Sequence, residues 1–278
     1  MYAGIVLLHT ITVIYIKENI MCITIGCDPE FFVQNKGKFV CAHGLVAGTK
    51  HEPCPVNNGA VQVDGYALEF NINPARSPEE FSMYVEDVIG TLRRMVDKKY
   101  KFVLGCPTAD FSPEYMAKQC AEANELGCDP DYNAWTGKKN IKPNASLPMR
   151  TAAGHIHIGW EGDKDAELQM AMVRQMDCFL GLPSLFYDGD TRRREMYGKA
   201  SCFRFKPYGV EYRTLSNAWL KSKELMEGVC RNAIIGAECL LSGDLDLSGM
   251  DVQDIINTND KECAKAIIDE CGIPMIGG

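Results

Sequence analysis

Five short triplets in this 278-residue chain share one grammar. Asp28-Pro-Glu30, Glu69-Phe-Asn71, His155-Ile-His157, Arg204-Phe-Lys206 and Glu211-Tyr-Arg213 each set two polar side chains around an apolar residue or proline. In a β-strand, residues i and i+2 point to the same face, so each pair would project together. If the five strands belong to one curved sheet, one face gathers acids and imidazoles beside guanidinium and ammonium groups. Asp28, Glu30, Glu69 and Glu211 offer hard oxygen ligands suited to Mg2+ or Mn2+, with a histidine completing one coordination sphere. Carboxylates this close would repel and resist ionisation unless cations bridged them. Arg204, Lys206 and Arg213, with the run Arg192, Arg193 and Arg194, carry charges that engage phosphate or carboxylate groups. Divalent metal plus arginine facing phosphates is the equipment of phosphoryl transfer, where charge neutralisation supplies most of the catalysis.

Taken singly, each pair has a plainer reading. Asp28 and Glu30 alone would cap a turn, Glu211 and Arg213 would be a sheet-surface ion pair, and a basic run is usually solvated. The repetition in five candidate strands is what calls for a second account. The chain has no G-x-x-x-x-G-K-[ST] loop and no G-x-G-x-x-G after its first strand, so a nucleotide would need another scaffold. His155 and His157 lie in a strand pattern rather than the H-E-x-x-H helix of a zinc hydrolase.

The elements that must position these residues can be read from periodicity. From Ile23, short β-rich runs punctuated by Gly, Pro and Asn predict antiparallel hairpins. The stretch SPEEFSMYVEDVIGTLRRMVDKKY changes period: Ser77 reads as an N-cap, Pro78 as the first helical residue, and Glu79 and Glu80 as first-turn acids. Phe81, Tyr84, Val85, Val88, Leu92 and Met95 then form the expected buried stripe. Helices are also predicted over 165–186 and 222–241. Residues 113–150 read as a long irregular segment suited to a lid or binding loop. Phe70, Ile156, Phe205 and Tyr212, between the polar pairs, are expected to face helices and core. Strand clusters separated by isolated helices predict an α+β fold with a largely antiparallel sheet.

Composition excludes several alternatives. Hydrophobic residues make up 46% and charged residues 24%, which argues for a globular chain. The net charge of −8 gives no electrostatic footprint for nucleic acid. Thirteen cysteines without a C-x-x-C pair read as reduced, mostly buried thiols in a reducing cytoplasm. Residues 3–16 form an apolar run, but it lacks a positive n-region and a cleavage site and is shorter than the ~20 residues of a membrane span. Residues 1–20 are therefore expected to be either an extra strand or an extension ahead of a start at Met21, and no membrane partner is expected.

The blocks GCDPEFF, VDGYALEFNINPA, RTAAGHIHIG and KPYGVEYRTLSN, in this order, resemble the phage-encoded COOH–NH2 ligase family, a branch of the glutamine synthetase and glutamate–cysteine ligase superfamily. The resemblance runs from about Ile23 to Leu220. It implies a curved, largely antiparallel sheet of glutamine synthetase catalytic-domain type with helices on its convex face. A ligase domain over 21–240 and a small helical cap over 241–278 follow. By the same resemblance Asp28, Glu30, Glu69, His155 and Glu211 would bind Mg2+ or Mn2+, His157 would lie nearer the phosphates of ATP, and Arg213 would stabilise the transferred γ-phosphoryl group. Arg192, Arg194 and Arg204 match the basic region of the family less tightly, as nucleotide-binding or catalytic residues. The implied reaction is ATP-dependent amide formation from a small-molecule or peptide carboxylate and an amine, in the host cytoplasm if the chain is phage-encoded. A homo-oligomer stays open. Asp-Pro-Glu stands where better-known relatives have Glu-x-Glu, so the shorter Asp28 alters its reach. Two other readings also stay open: a metal-dependent phosphotransferase on the same face, and a non-catalytic phage binding or structural protein.

Overall fold

The computed structural model of the protein describes residues 22–124, 131–141 and 147–277. The expected extension over residues 1–20 lies outside them. The strands are β1 (Thr24–Asn35), β2 (Lys38–Val40), β3 (Cys54–Val56), β4 (Gly59–Asp64), β5 (Ala67–Ile72), β6 (Tyr100–Val103), β7 (Thr108–Asp110), β8 (Tyr132–Asn133), β9 (Met149–Thr151), β10 (Gly154–Gly159), β11 (Cys202–Lys206) and β12 (Gly209–Tyr212). One large sheet runs β3-β4-β5-β1-β10-β12-β11-β8, with β2 and β6 also pairing with β1, and β7 and β9 form a separate ribbon. Every one of these pairings is antiparallel. The expected α+β class with a largely antiparallel sheet is borne out.

β1 shows why the sheet has two unlike faces. Ile25, Cys27, Phe31 and Val33 alternate into the core, while Asp28 and Glu30 point the other way and stay partly open. The helices are α1 (Pro78–Met95), α2 (Pro113–Met116), α3 (Ala121–Asn124), α4 (Ala166–Met176), α5 (Leu182–Tyr187), α6 (Arg192–Met196), α7 (Lys223–Ser242), α8 (Gln253–Thr258) and α9 (Lys261–Glu270). α1 packs on β4 and β5, α4 on β11 and β12, and α7 on β1 and on both of those helices. They cover the apolar face and leave the polar pairs on the other side.

α1 begins as its sequence dictates, with Ser77 Oγ accepting the Glu80 N–H at 3.2 Å and Pro78 in the first turn, where its missing N–H costs nothing. Phe81, Val85, Val88 and Leu92 are buried, each contributing about 1.5–3 kcal/mol of apolar burial. Met95 departs from the expected stripe and is 40% exposed, because the helix ends there and the buried place passes to Val96. Phe70, Ile156 and Tyr212 are in the core as expected, but Phe205 is 38% exposed. The sheet narrows beyond β11 to the two-residue β8, so one side of that ring stays open while Tyr132 and Phe203 pack against the other.

The helix predicted over 165–186 is interrupted. Between α4 and α5 the residues Asp177–Gly181 widen into a π-helical turn. That turn aims Asp177 inward, where its carboxylate accepts from Tyr212 Oη at 2.7 Å, from Ser201 N at 3.1 Å and from the Ser201 hydroxyl. Burial raises the Asp177 pKa to about 6 against these three donors. The segment 113–150 contains α2, α3, β8 and part of β9, with residues 125–130 and 142–146 outside the described ones. All described cysteines are free thiols, yet only Cys27, Cys178, Cys202 and Cys230 are buried, so the expectation of mostly buried thiols does not hold. Among the described residues no helix is long and apolar enough to cross a membrane.

Candidate active site

The strand registers bring the polar pairs together. Asp28 stands opposite His155 across β1 and β10, and Glu30 stands opposite Glu69 across β1 and β5. Glu211 faces His157 on one side and Arg204 on the other, and Gln62 faces Glu69. Residues directly opposite in an antiparallel pair share a face, as do i and i+2. Asp64, two residues beyond Gln62, therefore joins the same face.

Two groups of ligand atoms result. One atom each from Asp28, His157 and Glu211 lie within 4.8 Å of one another, and so do one each from Glu30, Asp64 and Glu69. β1 supplies a residue to each group. β10 is held in position from behind: a Cβ on Gly154 would come within 2.3 Å of Ser216 O and 2.4 Å of Trp219 Nε1, and the Trp219 indole N–H donates to Gly154 O at 3.0 Å. Only glycine allows that approach, and it fixes where His155 begins.

The two groups differ electrostatically. Burial works to raise the Asp28 pKa, but the imidazoles of His157 and His155 overcome it and hold it well below the ordinary value. Glu30 is pushed up to about 7 by burial and by Asp64, against the Ala153 N–H and the Arg193 charge. Burial, then the charges of Asp28, Glu30 and Asp64, push Glu69 well above the usual carboxylate range, with Gln62 Nε2 donating to it at 2.6 Å. Burial also raises Asp64, against Lys50 at 3.7 Å. Without a cation, the second group holds protons at pH values where ordinary carboxylates have lost them.

The first group fits a hard cation on its own geometry. Asp28 Oδ1 lies 3.2 Å from both His155 Nδ1 and His157 Nε2, yet has hydrogen-bond alignment with neither. His157 Nε2 is likewise buried without a hydrogen-bond partner and faces that oxygen, whereas the unpartnered Nε2 of His155 is not the ring nitrogen that meets Asp28. An orphaned carboxylate oxygen and ring nitrogen facing each other are what a cation would satisfy. His155 Nδ1 is also 3.7 Å from Glu211 Oε1 and 3.3 Å from Arg213 Nη1. Burial and the Arg213 charge keep its imidazole neutral to well below the ordinary histidine value, whereas Asp28 raises the pKa of His157 in spite of burial. Both histidines thus abut Asp28.

The basic residues divide. Glu211, fully buried, meets Lys206 Nζ at 2.7 Å, Arg204 Nη1 at 3.6 Å, and Arg213 in a short contact. Arg213 also reaches Asp131 at 3.6 Å and lies over the Tyr197 ring. Arg192 and Arg194 make their contacts elsewhere. Arg192, half exposed, pairs with Asp110 at 3.0 Å and Asp190 at 3.5 Å, and Arg194 donates to Ser184 Oγ at 2.8 Å. The middle residue of the run, Arg193, is the one whose charge is felt at Glu30. It is buried, donates to Thr214 O at 2.8 Å and lies 5.5 Å from the centre of the same Tyr197 ring, with burial lowering its pKa to about 10.

Sequence reasoning passed over Asp64, although Gln62-Val63-Asp64 follows the same grammar as the five pairs. Tyr208 was also missed, since it sits in a turn, where no strand period applies. Arg193 was read only as one member of its basic run, because telling it from Arg192 and Arg194 needed the phase of a five-residue helix.

Two groups of acidic and imidazole side chains, with cations flanking Glu211, thus share the sheet face opposite α1, α4 and α7. Residues 136–260 match the model of the family described as phage phiEco32-like COOH.NH2 ligase-type 2, which bears out the resemblance read from the sequence. A crystal structure of a novel glutamine synthase homolog is similar at 9% identity and a TM-score of 0.47, over 90% of this chain and 63% of that one. The chain thus spans less than two thirds of that protein's length. No curated protein matches it.

Proposed function

We propose that the protein is an ATP-dependent carboxylate–amine ligase that forms an amide through an acyl phosphate. The observation that carries this reading is the pair of carboxylate groups joined through β1 on one sheet face, with Lys206, Arg204 and Arg213 against Glu211. The family match over residues 136–260 supports the same direction.

Mg2+ or Mn2+ would be held by Asp28, Glu211 and an imidazole in one group and by Glu30, Asp64 and Glu69 in the other, and would neutralise the charge of the ATP phosphates. Lys206 and Arg204 extend that positive field along the face, and Arg213 meets the charge that develops on the transferred phosphoryl group. An oxygen of the acid attacks the γ-phosphorus and the bond to ADP breaks. The amine then attacks the acyl carbon, the carbon–oxygen bond to phosphate breaks, and the amine loses a proton. A free carboxylate would have to expel oxide; the acyl phosphate, a mixed anhydride, replaces that with phosphate as a competent leaving group. Water must be kept from the acyl phosphate, a role we give to the described residues around Asp131, which lies 3.6 Å from Arg213. We assign the ligase unit to residues 21–240 and the cap to 241–278, acting on a small or peptide acid and amine in the cytoplasm.

The test is a screen for ADP release with candidate acids, with and without amines, followed by mass spectrometry. Amide product dependent on both substrates is the expected outcome. A stable phosphorylated product formed without amine would favour a phosphotransferase instead. Glu211→Gln and His155→Ala should each lower ATP turnover by about a hundredfold or more while circular dichroism stays unchanged. Unaltered turnover in either removes that residue from the metal site.

A further inference from the structure

Tyr208 lies outside every polar pair, yet its ring stacks on His157, with centroids 6.0 Å apart and planes 19° from parallel. Its hydroxyl is 2.5 Å from His157 Nδ1. The other ring nitrogen, Nε2, is the one that faces Asp28 Oδ1 at 3.2 Å. His157 is therefore gripped at one nitrogen by the tyrosine and presented to the carboxylates by the other.

The backbone makes this grip stiff. Pro207 and Tyr208 form the two-residue loop between β11 and β12, whose flanking residues Lys206 and Gly209 pair in register. That loop is pinned to the end of β10 by the Trp160 N–H, which donates to Tyr208 O at 3.2 Å. A Cβ on Gly209 would come within 2.0 Å of Ile158 O and 2.7 Å of the Trp160 ring, so the turn lies as close to β10 as backbone permits. Tyr208 is 42% exposed and stands at the rim of the site.

A neutral imidazole carries one N–H and one lone pair. If Nε2 is to offer its lone pair beside Asp28 and Glu211, the proton must sit on Nδ1 and needs an acceptor there. Metal-bound histidines commonly donate their second nitrogen to a carboxylate or a carbonyl, which fixes the tautomer and the ring plane. Here the oxygen within reach is a phenol. We propose that Tyr208 is a positioning residue, which accepts the Nδ1–H of His157 and so holds Nε2 as the ligand atom of the Asp28–His157–Glu211 group. This rests on the metal reading given above. In accepting that bond, the phenol keeps its own proton to donate at the open rim, towards an incoming anionic substrate.

The test compares the full-length protein with Tyr208→Phe, which keeps the stacked ring and removes only the oxygen. At a pH where the imidazole is neutral, long-range 15N–1H spectra should show His157 as the Nδ1–H tautomer in the wild type and as a mixture in the variant. Mn2+ affinity, followed by electron paramagnetic resonance, should weaken about tenfold or more, with unchanged circular dichroism. Tyr208→Leu, lacking both ring and oxygen, should do no better than Tyr208→Phe. Unchanged tautomer and Mn2+ affinity in Tyr208→Phe would overturn the assignment to Tyr208, as would an Nε2–H tautomer in the wild type. A wild type with the Nδ1–H tautomer but without Mn2+ binding would instead sink the metal reading, and the spectra alone would still decide what sets the tautomer.

Discussion

Glu30 and Glu69 stand directly opposite each other on adjacent antiparallel strands, with Asp64 in reach of both. Like charges in that position destabilise a sheet. The sheet tolerates the arrangement by keeping protons on it, or by placing a cation between the oxygens.

A dependence of stability on pH follows for metal-free protein. Glu30 moves from 4.5 to about 7 on folding, so between those values the folded chain holds a proton that the unfolded chain has released. Its contribution is complete below pH 4.5 and is lost as pH rises through 7. Glu30→Gln removes this loss, so the variant should gain on the wild type by on the order of 2 kcal/mol between pH 5 and 8. Urea denaturation at four pH values measures it, and parallel profiles would contradict the raised pKa. Comparing the two proteins cancels the opposing contribution of His155, which favours folding as pH rises towards 6.5.

Asp64→Asn probes the group that the sequence pattern did not disclose. Calorimetric titration with Mn2+ should show two sites in the wild type and one in the variant. Full stoichiometry at wild-type affinity would place Asp64 outside the coordination sphere.

Gly154→Ala should cost about 1–3 kcal/mol, because the added methyl group meets the Ser216 carbonyl and the Trp219 indole. Since the same contact sets the start of β10, Mn2+ affinity should fall with the melting temperature. A stable variant with intact affinity would show that β10 has room to shift.

Tyr212→Phe deletes the 2.7 Å bond to Asp177 on the covered side of β12. Two donors from Ser201 remain on that carboxylate, so the expected loss is about 1–3 kcal/mol, read from chemical denaturation. No measurable change would mean that the bond contributes nothing net.

The legible part of the site was the part governed by strand period. Asp28, Glu30, His155, His157 and Glu211 share a face because alternation is local, and local rules survive into the fold. Which residues meet across strands depends on register, and register depends on hairpins such as Gly65-Tyr66, which puts Gln62 opposite Glu69 and carries Asp64 into the group. The arginine run could not be resolved because α6 is too short to show a helical stripe; its phase, set by packing, buries Arg193 and Arg194 and exposes Arg192. The helix over 165–186 was legible in extent but not in its π-helical turn, since nothing local marks the inward aim of Asp177. Phe205 followed the strand alternation but lay too near the end of the sheet for alternation to imply full cover.

Asp28 and Glu30 belong to different ligand groups but to one strand, two residues apart. Their backbone separation is therefore two strand rises, about 7 Å, a length set by covalent geometry rather than by packing. β1 acts as a ruler between the two groups. Substitutions elsewhere in the chain can reshape the surroundings of either group. The backbone separation of Asp28 and Glu30 cannot change with them.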